Sequence, residues 1–522
     1  MSRWQPVARG SWAGLLGGVA MAIAAALLRN FAGIPLLVEL VSDRVIPTLS
    51  IRRFADLAGR LGGLERGKEV SLLAFFAILV AVGVAAGALY GVVARRGRRR
   101  ATVGLAVVLA VSAAGILAVL WPVLETNGIG VRLEAARAIN VAAIVGLFAL
   151  YGLVVAAAVG RGQRSPEPVK AAPMGGVAGP PEPSRVPRRA LLASAGTVVM
   201  AAAAGSLARV VYGRATSGPN GYDGLSVRGP DTKPITPNDA FYVVTKNIVD
   251  PRIDRGLWRL EVSGLVERPR SFSFEDITGM PSVEQLQTLE CISNGVGGGL
   301  MSNAVWRGVR LRDVLGPVLP MGAARFVELH AADGYVNVIS LEKALEQTTV
   351  AAFEMNGEPL PLRHGFPLRL LVPGTYGEVS VKWIERVALI ERYVKGYYAK
   401  QGWRPDYVTT TSRIDSPTAG STVGAGRPVE LRGVAFAGDR GVSDVQWSED
   451  AGSTWRPARI VYRPSPLTWA LWRATWRPSG TGNRTLTVRA VDGNGLVQSP
   501  RVRSTAPAGA TGYHRVDVHV GR

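Results

Sequence analysis

Thr288-Leu289-Glu290-Cys291-Ile292-Ser293-Asn294 runs into Gly295-Val296-Gly297-Gly298-Gly299, a strand-like segment that ends in a polar, glycine-rich turn. Cys291 is the only cysteine in 522 residues. A disulfide scaffold, a zinc finger and a cysteine-bound iron–sulfur cluster are thereby excluded. The four histidines argue against a histidine-rich metal site. A lone cysteine is most often a small buried apolar side chain, but glycines let backbone approach a ligand closely. A thiolate at the mouth of such a turn suits either a nucleophile or a soft metal ligand. A nucleophile also needs an imidazole base, and no spacing rule puts His330, His364, His514 or His519 beside it.

Downstream, His364-Gly365-Phe366-Pro367-Leu368-Arg369-Leu370-Leu371-Val372-Pro373-Gly374 continues into Thr375-Tyr376-Gly377-Glu378-Val379-Ser380-Val381-Lys382-Trp383. Turn residues here enclose a charged segment between two apolar runs. His364, Arg369 and Lys382 stand close to glycines that expose backbone amides. Such a set suits a phosphate, which accepts from guanidinium and amide donors together; the alternative is ordinary surface charge.

Around these stretches, short alternating runs at 241–244, 258–262, 327–330 and 336–339 predict strands, and 273–278, 311–315 and 341–345 predict short helices. This is a mixed α+β domain over 236–400. Over 401–522 the runs 429–436, 442–447, 471–476 and 485–490 predict strands separated by glycine and proline turns, a β-sandwich of immunoglobulin-like architecture without a cysteine pair. A polar tether at 214–235 precedes both.

Residues 1–213 differ in composition. The segments 10–28, 71–94, 102–124, 139–160 and 190–208 carry no charge and are long enough to cross about 30 Å of hydrocarbon as helices, so about five transmembrane helices are expected. The stretch 31–41 is too short to span and is expected to re-enter or lie in the interface. Of the net charge of +21, +14 (23 basic, 9 acidic) lies before position 210 and +7 (37 basic, 30 acidic) after it. Arg95, Arg96, Arg98, Arg99 and Arg100, and the six basic residues between 161 and 189, put both of those loops in the cytoplasm. Residues after 208 then face the extracytoplasmic side of a bacterial membrane. The connection 29–69, with seven basic and five acidic residues, is the one loop that resists this assignment. Arg188-Arg189 before an alanine-rich core is similar to a twin-arginine export signal, behind a Gly/Pro-rich linker at 175–187. No basic block stands out in the later residues, which argues against nucleic acid.

Taken in order, the cysteine segment, Trp306-Arg307-Gly308-Val309 with 311–315 behind it, and the 364–383 block resemble the sulfite oxidase family of molybdopterin-dependent oxidoreductases. The C-terminal block, with Trp447-Ser448-Glu449-Asp450-Ala451-Gly452-Ser453-Thr454-Trp455, resembles that family's dimerisation domain. The resemblance implies a molybdenum-molybdopterin cofactor with Cys291 on the metal. It implies phosphate contacts from His364 and Arg369, further pterin contacts from Ser380 and Lys382, and polar cofactor contacts from Lys246 and Asn247. It also implies a homodimer.

Animal and plant sulfite oxidases carry an arginine near Thr245 and more where this chain has Gly295, Val296 and Gly297; Arg307 is the nearby cation that would have to compensate. The expected activity is two-electron oxygen-atom transfer on a small substrate such as a sulfoxide or N-oxide, ahead of sulfite oxidation proper. The rival reading is a cofactor-free, membrane-anchored binding module. With no histidine in the spans, electrons need a separate cytochrome or quinone-linked carrier, and the helices anchor or dock.

Overall fold

The computed structural model describes residues 5–161, 206, 232–404 and 407–522. The expected span 190–208, apart from Ser206, lies outside the described residues, as do the arginine pair 188–189, the linker 175–187 and most of the tether. The chain forms two compact units: Met1–Ser42 with Ala58–Glu125 and Glu134–Arg214, and Asp43–Leu57 with Thr126–Leu133 and Ala215–Arg522.

In the first unit the long helices are α1 (Gln5–Ala32), α4 (Leu64–Ala94), α5 (Arg98–Leu120) and α6 (Leu133–Arg161). All four are long and apolar enough to cross a membrane. α1 and α4 pack through facing glycines: a methyl added at Gly10, Gly14, Gly87 or Gly91 would overlap the opposite backbone. Small residues permit this approach where lipid supplies no hydrophobic drive between helices. The stretch 31–41 is no span: it ends α1, turns, and begins α2 (Leu37–Val45). The turn is closed by the buried pair Arg29 Nε–Glu39 Oε2 at 2.9 Å. A further helix, α3 (Ile51–Arg60), precedes α4.

The second unit contains three sheets. The first has the order β2 (Arg270–Ser273), β1 (Arg259–Gly264), β10 (Ile384–Ile390), β5 (Phe326–Ala331), β6 (Val336–Ser340), with only β1 and β10 parallel. The second runs β3 (Ser282–Glu290), β4 (Met301–Arg310), β7 (Val350–Met355), β8 (Glu358–Pro359), and β9 (Arg369–Leu371) also pairs with β7. Trp258, Leu311, Val314, Leu329 and Trp383 are among the side chains of the main core. The short helix Phe274–Thr278 starts at a capping box in which the Ser273 and Asp276 side chains each accept from the other's backbone N–H.

The third sheet has eight strands, ordered β11 (Thr411–Ser416), β13 (Val429–Phe436), β16 (Ala470–Trp476), β15 (Arg456–Tyr462), β14 (Val442–Ser448), β17 (Gly482–Asp492), β18 (His514–Gly521), β12 (Thr422–Gly424). Strands from both ends of that order bury one core, including Leu431, Trp472, Trp476, Val445, Leu486 and Val518.

One sequence expectation fails here. Residues 241–244 form no strand. Phe241, Tyr242 and Val243 are all buried, so the run has no solvent face, and the Tyr242 N–H donates to Ser302 Oγ rather than to a strand partner.

Candidate functional site

β3 ends at Glu290 and delivers Cys291 to its turn, where the Cys291 N–H donates to the Leu300 carbonyl and the Asn294 N–H to the Cys291 carbonyl, both at 2.9 Å. The thiol is partly accessible, with Sγ 3.0 Å from Ser293 Oγ. Burial pushes the thiol up to about 11; Ser293 opposes this, and Glu378 and Glu290 add to it. A metal arriving here must therefore displace a proton. Among the described residues no group of three or more His, Cys, Asp or Glu could hold a metal, so a metal at Cys291 needs its other ligands from a cofactor or solvent.

The 364–383 block lies against this turn. The Gly377 N–H donates to the Glu290 carbonyl at 2.7 Å. Gly365 has φ +110°, and a Cβ there would stand 3.0 Å from Arg369 Cβ and 3.1 Å from Lys382 Cα, so the absent side chain lets the two cations approach. Arg369 donates to the His364 and Ser380 carbonyls at 3.2 and 3.1 Å, lies 5.0 Å over the Trp306 ring, and has a buried Nε with no partner among the described residues. Lys382 Nζ donates to the Val244 and Arg363 carbonyls, each at 3.2 Å. Burial lowers Arg369 to about 10 and Lys382 to about 8. Burial, with Arg369 beside it, lowers His364 to about 3, so the ring is neutral and its Nε2 bonds the Asn238 carbonyl at 3.1 Å. Ser380 Oγ accepts from the Val372 N–H at 3.2 Å.

Neither Arg369 nor Lys382 has a carboxylate at salt-bridge distance among the described residues. Buried charge normally has a counter-charge. An orphaned guanidinium N–H, a second unpaired cation and a soft sulfur donor nearby fit an anionic, phosphate-bearing cofactor that carries a thiophilic metal.

Lys246 and Asn247 lie elsewhere in the hydrogen-bond network. Lys246 Nζ pairs with Asp43 Oδ1 at 2.5 Å and donates to the Asp333 carbonyl at 2.7 Å. Asn247 Nδ2 donates to Asp333 Oδ2 at 3.0 Å and Asp250 Oδ1 at 3.3 Å. Thr245 Oγ1 donates to Asp250 at 2.8 Å. Arg307, the compensating cation considered above, is exposed and engages Ser282 and Glu354.

The sequence reading missed the acids and phenols. Glu290 has Oε1 bonded by Asn294 Nδ2 at 2.8 Å and a buried Oε2 without a partner among the described residues. Glu378 likewise has a buried, unpartnered Oε1. Burial raises Glu290 to about 7 and Glu378 to about 8. Tyr242 and Tyr398 are each raised far above 10, by burial first and then by neighbours that include Cys291 and Glu378. Tyr335 Oη donates to the Glu378 carbonyl at 3.0 Å. The available signal was a carboxylate, Glu378, placed directly after a glycine inside the 364–383 block.

Comparison with known proteins agrees with this geometry. Residues 247–398 match the oxidoreductase molybdopterin binding domain, and residues 406–521 match the Mo-co oxidoreductase dimerisation domain. The sulfite oxidase of Arabidopsis thaliana is 29% identical over 55% of this chain and 88% of its own length. A nitrate reductase (NAD(P)H) of Hordeum vulgare is 30% identical over 46% of this chain, which spans 34% of that protein's length. The uncharacterized oxidoreductase YuiH of Bacillus subtilis is 34% identical over 29% of this chain and 74% of its own length.

Proposed function

From the premise that the chain belongs to the sulfite oxidase family of molybdopterin-dependent oxidoreductases, we propose that it carries out two-electron oxygen-atom transfer on a small, uncharged oxide at the extracytoplasmic face of a membrane. When bound, the molybdopterin supplies a metal that cycles between +6 and +4 and can give or take an oxygen atom. Cys291 contributes the thiolate ligand. Arg369, Lys382 and neutral His364, with Ser380 bracing Arg369, anchor the phosphate end. Lys246 and Asn247 act from farther out, through Asp333.

The observation that carries the substrate reading is the pair of unpartnered carboxyl oxygens, Glu290 Oε2 and Glu378 Oε1. Both belong to residues that raise the Cys291 thiol. Carboxyl groups kept protonated by burial offer no positive charge to an oxyanion such as sulfite, whereas they can donate to the oxygen of a neutral sulfoxide or N-oxide. Reduction of a sulfoxide consumes two electrons and two protons and yields a sulfide and water. Glu378, held protonated by burial up to about pH 8, keeps a proton on a carboxyl oxygen beside that reaction. Side-by-side turnover of dimethyl sulfoxide with reduced viologen, and of sulfite with ferricyanide, tests this. The sulfoxide reaction should dominate, and efficient sulfite oxidation with no sulfoxide reduction contradicts it.

The extracytoplasmic placement is supported by connectivity. Asp43–Leu57 and Thr126–Leu133, which lie in the α1–α4 and α5–α6 connections, group with the catalytic strands, whereas the arginine-rich connection between α4 and α5 does not. With all four helices crossing, alternate connections fall on opposite sides, and arginine favours the cytoplasm. Export of a loaded domain through Arg188-Arg189 fits this. Changing both to lysine should leave the domain inaccessible to external protease. The 406–521 match supports a homodimer through a β-sandwich of immunoglobulin-like architecture, and a separate cytochrome or quinone-linked carrier is the proposed electron partner.

A further inference from the structure

The turn at 331–335, between β5 and β6, is held by two segments that come from the connections between apolar helices. Asp43 lies 203 positions before Lys246, and their ion pair at 2.5 Å leaves the side chains 11% and 6% exposed. The same ammonium donates to the Asp333 carbonyl at 2.7 Å and stands 5.4 Å over the Tyr397 ring. Burial alone would lower the Lys246 ammonium, and the Asp43 and Asp333 carboxylates outweigh it.

The second segment reaches the same turn. The Asn127 N–H donates to the Ala332 carbonyl at 2.8 Å, and its Nδ2 donates to Glu385 Oε2 at 3.2 Å. Asn127 is itself held, because its Oδ1 accepts from the Gly130 N–H at 2.6 Å.

From this turn, contacts continue to the cysteine. Asp333 Oδ1 accepts from the Tyr335 N–H at 3.0 Å. Tyr335 Oη donates to the Glu378 carbonyl at 3.0 Å, and Asn337 Nδ2 donates to the same carbonyl at 3.1 Å. Gly377, the preceding residue, bonds the Glu290 carbonyl at 2.7 Å, one position before Cys291. Five successive polar contacts thus lead from Asp43 to the residue beside the sulfur.

We propose that Asp43 and Asn127 are positioning residues of the active site, acting through the 331–335 turn on Tyr335 and Glu378. These two connections between the apolar helices are then working parts of the enzyme. The inference rests on the Cys291 site being the reaction centre. A buried ion pair is by itself weak grounds for a stability role, since an apolar pair often replaces it at no loss. What this pair specifies is geometry: it fixes Lys246 on the Asp333 carbonyl, and an active-site group misplaced by about 1 Å can cost on the order of a hundredfold in rate.

The test uses the full-length, molybdenum-loaded protein with dimethyl sulfoxide as substrate. Asp43→Ala and Asn127→Ala should each lower kcat/KM about tenfold, with molybdenum content unchanged and Asp43→Glu largely restoring turnover. In a Tyr335→Phe background, Asp43→Ala should add less than about twofold, because coupled residues give non-additive losses. If Asp43→Ala fails to accumulate, Asp43→Leu with Lys246→Met removes the pair without stranding a charge and should show the same loss. Wild-type kcat/KM in Asp43→Ala or in the double variant, additivity with Tyr335→Phe, or loss of molybdenum in every variant overturns the proposal. A wild-type protein without molybdenum overturns the functional reading instead.

Discussion

The Gly377 N–H donates to the Glu290 carbonyl at 2.7 Å, and this single bond joins the cysteine turn to the block that carries Glu378, Arg369 and Lys382. It brings a thiol, a buried acid and two cations without carboxylate partners among the described residues into one neighbourhood. Each of these groups can be tested separately.

Glu378 holds its proton up to about pH 8 because it is buried. Reduction of a neutral oxide should therefore decline as pH rises through about 8, where that carboxyl ionises. Glu378→Gln cannot ionise and should lose this alkaline limb, with kcat reduced about 10- to 100-fold at pH 7. A pH–rate profile for dimethyl sulfoxide, recorded on both proteins, decides it; an unchanged alkaline limb in the variant counts against the role.

Arg369 and Lys382 are buried without carboxylate partners, a cost that an anionic ligand would offset. Arg369→Met and Lys382→Met should each lower pterin and molybdenum content severalfold. In cofactor-free protein the same changes should be neutral or stabilising by about 1–3 kcal/mol, because a desolvated charge is removed. Metal analysis and denaturant melts of the same samples report both effects.

His364 is neutral and buried, with its proton affinity lowered from 6.5 to about 3. A depressed histidine contributes stability that is present above pH 6.5 and is lost as pH falls toward 3, since the unfolded chain takes up a proton that the folded ring refuses. His364→Gln should flatten the fall in Tm between pH 6.5 and 4 relative to wild type. An identical slope in both proteins would remove His364 from this account.

Much of this fold was legible in the sequence. The short helices 311–315 and 341–345 and the strand 429–436 appear with the expected ends, because local apolar periodicity and turn residues settle them without distant help. The run 241–244 misled, since alternation implies a strand only where one face meets solvent, and here Phe241, Tyr242 and Val243 are all buried. Lys246 pairs with Asp43, which sits 203 positions upstream in a connection between apolar helices, and no sequence pattern announces such a contact. Glu290 and Glu378 went unassigned for a related reason: each is an ordinary carboxylate until packing buries one oxygen and leaves it without a donor.

The central claim is that Cys291 ligates a molybdenum held by a pterin. Elemental analysis and molybdenum X-ray absorption on purified wild type and Cys291→Ser test it most directly. Wild type should carry about one molybdenum per chain with three sulfur neighbours, two from the pterin and one from Cys291. Cys291→Ser should show one sulfur fewer and lose turnover, with its fold retained. Absence of molybdenum from the wild type, or an unchanged sulfur count and full turnover in the variant, contradicts the account.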